Sequence, residues 1–330
     1  MGHKEAGEQM QELAIIAHQG AGGGQGGKVL EETLAALNKR QIAPKVYIST
    51  YAGHSELLAQ QLAQEPFIAV IGGDGTLHEV VASLAGQSQP PAILYLPAGR
   101  GNDFARAWQA KRSLTEALDQ CQAGSRCQVP ILRLQDQVSG QISYGINSLG
   151  IGFDAMVNQQ SKALRLGRLL AKWHLGKLSY LVAVFASLPK LEAFEVSLSL
   201  DNQSPQLVSD CYLFSVLKNP YMGGGIRLDN LGQASNPEIS IMAFHSIKAR
   251  HLPGLIWRVL VSHKQDQSPQ VSRWTGQKLD LAIKQAILGQ VDGEVQEAAP
   301  RQLTVDWLTY PFILAEPWLL GAFSRIMVEV

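Results

Sequence analysis

The chain has 330 residues, enough for about two domains at ~150 residues each and too long for a disulfide-stapled miniprotein. Hydrophobic residues make up 46% and charged residues 17%, against ~25% charged in an average soluble domain, which excludes disorder as the dominant state. Lys plus Arg equals Asp plus Glu at 28 each, so no global field attracts nucleic acid and any anion site must be local.

Cys121, Cys127 and Cys211 are odd in number and lack C-x-x-C spacing, so they indicate neither a zinc site nor a disulfide framework and fit a reducing cytoplasm. The polar stretch Met1 to Gln11 lacks the basic start and apolar core of a secretory signal. No run approaches the ~18 apolar residues that a spanning helix needs.

In chain order, the apolar run Leu13 to Ala17 predicts a strand, followed by a glycine-rich turn and a helix from about Lys28 to Lys39. Lys45 to Ser49 predicts a second strand, Ser55 to Gln64 a helix, Phe67 to Ile71 a strand, Leu77 to Leu84 a helix and Ala92 to Leu96 a strand. Such alternation implies a doubly wound parallel sheet with helices on both faces, over residues 1–130. Beyond Pro130 the texture becomes β-rich, with strands expected at Ile131 to Leu134, Ser143 to Ile146, Phe194 to Leu200, Cys211 to Leu217, Glu238 to Phe244, Lys278 to Ile283 and Leu303 to Leu308. Residues 131–308 therefore read as a β-sandwich-like domain with one inserted helix, Ser161 to Leu188. Its cations, Lys162, Arg165, Arg168, Lys172 and Lys177, suit either a solvated face or a membrane contact. Residues 309–330 form an apolar tail with room to pack back on the first domain.

Three segments could carry chemistry. Gly20 to Lys28 lies between a strand and a helix, where backbone N–H groups attract phosphate. Gly22, Gly27 and Lys28 have P-loop spacing, but Val29 replaces the hydroxyl that would hold magnesium. Gly22, Gly24 and Gly27 have dinucleotide spacing, but the next strand ends Ser49-Thr50-Tyr51 without the acid for a ribose hydroxyl. The second segment is Gly72-Gly73-Asp74-Gly75-Thr76, at the end of an apolar strand: its glycines let a polyphosphate approach the backbone, and Asp74 is a hard oxygen ligand for magnesium. Thr76 and Glu79 also have the spacing of a capping box. The third is Gly99-Arg100-Gly101-Asn102, again a strand end running through glycine into a helix; two such loops at neighbouring strand ends would line one cleft.

With these segments the sequence resembles the GGDGT-type lipid kinases, the bacterial diacylglycerol kinase-like and sphingosine kinase-like enzymes. Gly72 to Thr76 matches the signature, and Gly101-Asn102-Asp103-Phe104-Ala105-Arg106 matches a second block that NAD kinases lack. Asn147 to Ala155, Gly176 to Leu181, Asn219 to Gly225 and Val291-Asp292-Gly293-Glu294 resemble later family segments. The chain departs at His18-Gln19-Gly20, where the family has Asn-Pro, at His78 for Asn and at Arg100 for Thr. Asn236 stands where an acid helps hold a structural magnesium.

The resemblance implies an NAD kinase/diacylglycerol kinase-like first domain, with ATP and magnesium as cofactors. His18, Gly20, Gly22, Thr50, Gly72 to Thr76, Gly99, Arg100, Gly101 and Asn102 would bind the nucleotide, and Asp74 the metal. The γ-phosphoryl group would pass to a diacylglycerol-like or sphingoid-like hydroxyl, with Asp292 and Glu294 as the acceptor base, although Asp-Gly alone also reads as a hairpin turn. The expected partner is a lipid substrate at a membrane surface, the inner face, with Arg165 to Lys177 as the contact; homodimerisation stays open. A nucleotide or lipid sensor without catalysis and a soluble-substrate kinase such as an NAD kinase are the alternatives.

Overall fold

The structure is a computed structural model that describes residues 13–108, 110, 119, 126–163 and 192–314. Two compact units divide the chain between Val129 and Pro130, and again between Leu308 and Thr309. The predicted helix at 164–188 lies outside the described residues.

In the first unit β1 (Ala14–Ala17), β2 (Lys45–Ile48), β3 (Phe67–Gly72) and β4 (Ala92–Pro97) are parallel, in the order β2-β1-β3-β4. Every residue of β1 and β3 is buried, the uninterrupted apolar pattern of strands covered on both faces. The helices are α1 (Gln25–Lys39), α2 (His54–Gln61), α3 (Asp74–Leu84) and α4 (Asp103–Ala107). Helix α1 buries Leu30, Thr33 and Leu37 at three- and four-residue spacing. It starts before Lys28 because Gly26 is helical and passes so close to the His18 carbonyl that a side chain would not fit.

The second unit contains β5 (Cys127–Asp136), which begins in the first, β6 (Ile142–Gly145), β7 (Ser148–Gly152), β8 (Phe194–Leu200) and β9 (Gln206–Leu217). It continues through the short β10 (Tyr221–Met222) and β11 (Ile226–Arg227) to β12 (Ile239–His245), β13 (Val271–Gly276), β14 (Leu279–Val291) and β15 (Glu294–Phe312). The antiparallel path runs β13-β12-β9-β7-β14-β15, with β8 against β9 and β14. Its core joins Leu149, Ile151, Phe214, Val216, Ile241 and Leu281. Helices α5 (Phe153–Ala163) and α6 (Leu252–Trp257) interrupt it, α6 running on as a π turn, Arg258–Ser262. Strand β7 escapes the periodicity because its sequence, Ser-Leu-Gly-Ile-Gly, is glycine-punctuated although fully buried.

The last residues of β15 return to the first unit. Phe312 pairs in parallel with Ile93 of β4, stacks on Phe104 at 4.9 Å and is fully buried, while the Tyr310 hydroxyl donates to the Pro91 carbonyl at 3.1 Å. Truncating Phe312 to Ala therefore opens a cavity beside α4. We expect a loss of about 3–5 kcal/mol in urea unfolding, and a smaller loss would mean that this strand end is peripheral to the unit.

Candidate active site

The loops after β1, β3 and β4 all leave the C-terminal edge of the parallel sheet, where open α/β sheets bind ligands. They enclose a cavity of about 330 Å³ in the first unit, lined by His18, Gly22, Gly73, Gly75, Thr76 and Gly99 among others. Gly22 has φ +61°, and a side chain there would run into the Ala98 carbonyl. A Cβ on Gly99 would lie 2.6 Å from the Gly73 Cα. The two loops that the sequence placed at neighbouring strand ends thus meet backbone against backbone, an approach open only to glycine.

Gly73 is the N-cap of α3 and, being glycine, gives no side-chain cap, and the first-turn N–H groups of a helix lack partners within it, so this end suits an anion. The capping box expected from Thr76 and Glu79 does not form. Glu79 reaches instead to the start of α2, where its carboxylate accepts the Gly53 N–H at 2.8 Å and the Ser55 N–H at 3.2 Å. Tertiary placement overrides the local pattern here, and the helix end left open is the one bordering the cavity.

Asp74 has a role that its motif does not announce. Its Oδ2 accepts the Asp103 N–H at 3.0 Å and its Oδ1 the Phe104 N–H at 3.1 Å, so the carboxylate ties the first turn of α3 to the first turn of α4. Asn102 adopts φ +49° before α4, and its side-chain amide clasps Gly99 through both the N–H and the carbonyl, each at 2.9 Å. Tyr95 lies beneath, donating to the Gly72 carbonyl at 3.2 Å; burial, with the charges of Asp74 and Asp103, pushes its phenol well above the usual range.

The remaining predicted residues of this unit border the cavity less directly. His18 Nδ1 meets the Ser49 carbonyl at 3.0 Å. Gly20 caps the short helical turn that holds Gly22. The exposed Thr50 engages His54 Nδ1 through its N–H and its hydroxyl, both at 3.3 Å. Gly72 ends β3, while Arg100 and Gly101 lie in the loop before α4, with the Arg100 guanidinium beside Gly23. The sequence reading passed over Tyr51, Ser55 and Glu79, which also line the cavity. Tyr51 is 57% exposed and stacks on His54 at 4.4 Å with parallel rings. The only signal for it was an aromatic in the short loop between β2 and α2.

Asp292 and Glu294 belong to the second unit, at the turn between β14 and β15. Asp292 has φ +51°, and its carboxylate accepts three backbone N–H groups, from Ile146 at 2.6 Å, Asn147 at 2.8 Å and Ser148 at 2.9 Å. Glu294 is exposed on the far side of Gly293. Beneath the turn, Gln290 accepts the Gly293 N–H at 2.5 Å and donates to Asp154 Oδ2 at 2.6 Å. Asp154 is fully buried, its Oδ1 finds no hydrogen-bond partner among the described residues, and burial pushes its carboxyl up to about 6 although the Gln290 bond acts against it.

Asn236 contributes its backbone carbonyl rather than its side chain. With the Glu238 carbonyl it receives the buried Lys218 ammonium, at 2.5 and 2.9 Å. Burial pulls that ammonium down to about 7, with Glu238 acting against the shift. Among the described residues no three His, Cys, Asp or Glu side chains cluster as a metal cage.

Residues 12–134 match the diacylglycerol kinase catalytic domain, and residues 147–310 the YegS C-terminal NAD kinase beta sandwich-like domain. The chain is 26% identical over 305 residues to "Putative lipid kinase YtlR" of Bacillus subtilis, covering 88% of this chain and 95% of that one. It is 31% identical over 206 residues to a diacylglycerol kinase of B. subtilis, covering 61% and 63%. A diacylglycerol kinase of Staphylococcus carnosus matches at 26% over 53% of this chain and 54% of its own, so the chain spans little more than half of several such relatives. A crystal structure of a "putative diacylglycerol kinase" from Bacillus anthracis shares the fold, with a TM-score of 0.71 at 19% identity over 94% of this chain and 97% of that one. A catalytic domain of this type followed by this β-sandwich defines a lipid kinase. The chain belongs to the diacylglycerol kinase-like family.

The buried Asp154 gives a pH signature. Its folded pKa of about 6 lies above an unfolded value of about 3.9, so the carboxyl favours the folded state below pH ~4 and loses that contribution, about 3 kcal/mol, as pH rises through ~6. Asp154→Asn should match the parent in urea unfolding at pH 4 and exceed it at pH 7.5. Equal stability of the two proteins at both pH values would mean that the carboxylate carries no such burial cost.

Proposed function

We propose that the protein transfers the γ-phosphoryl group of ATP, with magnesium, to the hydroxyl of a diacylglycerol-like or sphingoid-like lipid. The observation that carries this reading is the glycine-to-glycine contact of the Gly73 and Gly99 loops beside the uncapped start of α3. It leaves a cavity with a glycine-backbone wall formed by Gly22, Gly73, Gly75 and Gly99, which suits a polyphosphate whose oxygens need N–H donors.

The donor set fits magnesium carried on nucleotide phosphates and does not fit a cage made by protein alone. Asp74 offers one carboxylate, whose oxygens accept the Asp103 and Phe104 N–H groups, and among the described residues no three His, Cys, Asp or Glu side chains gather into a metal cage. When bound, the metal would neutralise charge on the transferring group. The chain's own tasks are positioning and proton removal. Asn102 and Asp74 hold the loops in register, and the open N-terminus of α3 supplies fixed donors. The Asp292-Gly293-Glu294 turn supplies the carboxylates on the acceptor side: Asp292 anchors the turn through three N–H groups, and Glu294, exposed beside it, takes the lipid hydroxyl proton.

Labelled ATP and magnesium, offered with mixed micelles of diacylglycerol, a sphingoid base and phosphatidylglycerol, should label one lipid, and Asp74→Asn should abolish the spot. Labelling of NAD instead would support the soluble-substrate alternative, and ATP binding with no product would support a sensor. The division of labour at the turn predicts different failures for its two acids. Glu294→Gln should lower kcat by about 100-fold or more while leaving the melting temperature unchanged. Asp292→Asn strands at least one backbone donor and should also cost about 1–3 kcal/mol of stability. A stable and active Glu294→Gln enzyme would sink the base assignment.

A further inference from the structure

In the second unit, the segment from Lys248 to Lys264 separates two apolar surfaces. Inward, Leu255 and Val259 join Phe153, Met222, Leu228 and Phe244 around a cavity of about 120 Å³ with almost no polar lining. Outward, Trp257 and Val261, one turn apart, are 57% and 60% exposed. Leu231, 62% exposed, belongs to a neighbouring loop fastened to the same segment: Gln265 donates to the carbonyls of Arg227 and Leu228 at 2.9 and 2.6 Å, and Asn230 donates to Asp266 at 3.2 Å. Three of the nine large apolar side chains that stand exposed among the described residues therefore collect here.

The charges along the segment are mostly of one sign. Lys248, Arg250, Arg258 and Lys264 lie on it, whereas Asp266 is the acceptor for Asn230, and Asp229, beside Leu231, is buried and paired with Arg273. Within a chain whose formal net charge is zero, this is a local cationic rim around an apolar centre.

We propose that the Lys248–Lys264 segment, with Leu231, is the surface by which the protein docks on an anionic lipid bilayer. A tryptophan and aliphatic side chains between cations form the pattern of an interfacial helix, in which apolar groups enter the acyl boundary and basic groups meet the headgroups. A second copy of the chain is disfavoured as occupant, because a two-fold contact would set this cationic rim against itself. The cavity on the inner side of the same helix extends the argument. At about 120 Å³ it is smaller than the ~300 Å³ of ordinary ligand pockets, and it suits the end of one hydrocarbon chain drawn from the bilayer. This last step rests on the lipid-acceptor reading; the docking itself does not.

The test is co-sedimentation of the full chain with phosphatidylglycerol-containing and with pure phosphatidylcholine vesicles, at low and high salt. Parent protein should partition onto the anionic vesicles about tenfold or more in excess of the neutral ones at low salt, and lose that excess at high salt. Trp257→Ser with Val261→Ser should lower partitioning about tenfold, and Arg250→Gln with Lys264→Gln should remove the preference for phosphatidylglycerol. These side chains are exposed, and unchanged melting temperatures would confirm that the variants fold. Parent-like partitioning of both double variants, or a parent that ignores anionic vesicles, overturns the proposal. So does a dimer, measured by sedimentation, that the Trp257/Val261 double variant abolishes. Phosphorylation of a short-chain, water-soluble diacylglycerol separates the two readings: a docking failure leaves it intact, whereas its absence alongside normal vesicle binding sinks only the acceptor assignment.

Discussion

The contact on which the first unit's site depends is the approach of two peptide backbones, at Gly73 and Gly99, closer than any side chain allows. Each loop alone is a flexible glycine turn, and glycine carries the largest backbone entropy loss on ordering. The structure offsets that loss with side chains placed just outside the glycines. Asn102 closes the Gly99 loop on itself, Asp74 ties α3 to α4, and the buried Tyr95 hydroxyl holds the end of β3. The result is a rigid wall of main-chain atoms assembled from residues with the least intrinsic order.

The second unit solves a similar problem in a different way. The turn carrying Glu294 includes a non-glycine residue, Asp292, at positive φ, a conformation that costs energy unless its surroundings compel it. Three N–H groups on the Asp292 carboxylate supply that compulsion, and the chain Gly293 to Gln290 to Asp154 fixes the turn from below. Asp154 gains one hydrogen bond and remains a buried carboxyl in an apolar setting, which raises its pKa. Such a group is poorly explained by stability, and its place in the chain that supports the turn accounts for its presence.

The sequence made the fold legible where a pattern was local. Continuous apolar runs identified β1 and β3, and glycine after a strand identified the loops, because both signals follow from burial and backbone geometry within a few residues. It failed where the partner is distant. Glu79 has the spacing of a capping box with Thr76, yet bonds to Gly53, and the tie from Asp74 to the start of α4, 29 residues on, has no signal in its motif. Strand β7 was hidden by its glycines, and α6 by Pro253 and Gly254 in a helix of six residues. The departure at Asn236 was visible in the sequence, but the bond that its main-chain carbonyl accepts from the buried Lys218 was not.

The two units carry opposite kinds of charged group. In the second unit, the buried Lys218 side chain donates to the Asn236 and Glu238 carbonyls, with the charge of Glu238 acting in its favour, so the loop around Asn236 is held by a group that comes with the polypeptide. In the first unit the charge runs the other way, for Asp74 is an anion fixed at the border of a cavity suited to phosphate. Backbone N–H groups orient that carboxylate without cancelling its charge, and a polyphosphate brought beside it is repelled unless a cation comes too. The first unit's cavity thus borders a carboxylate tied to α4, whereas the Asn236 loop is fastened by the chain's own Lys218.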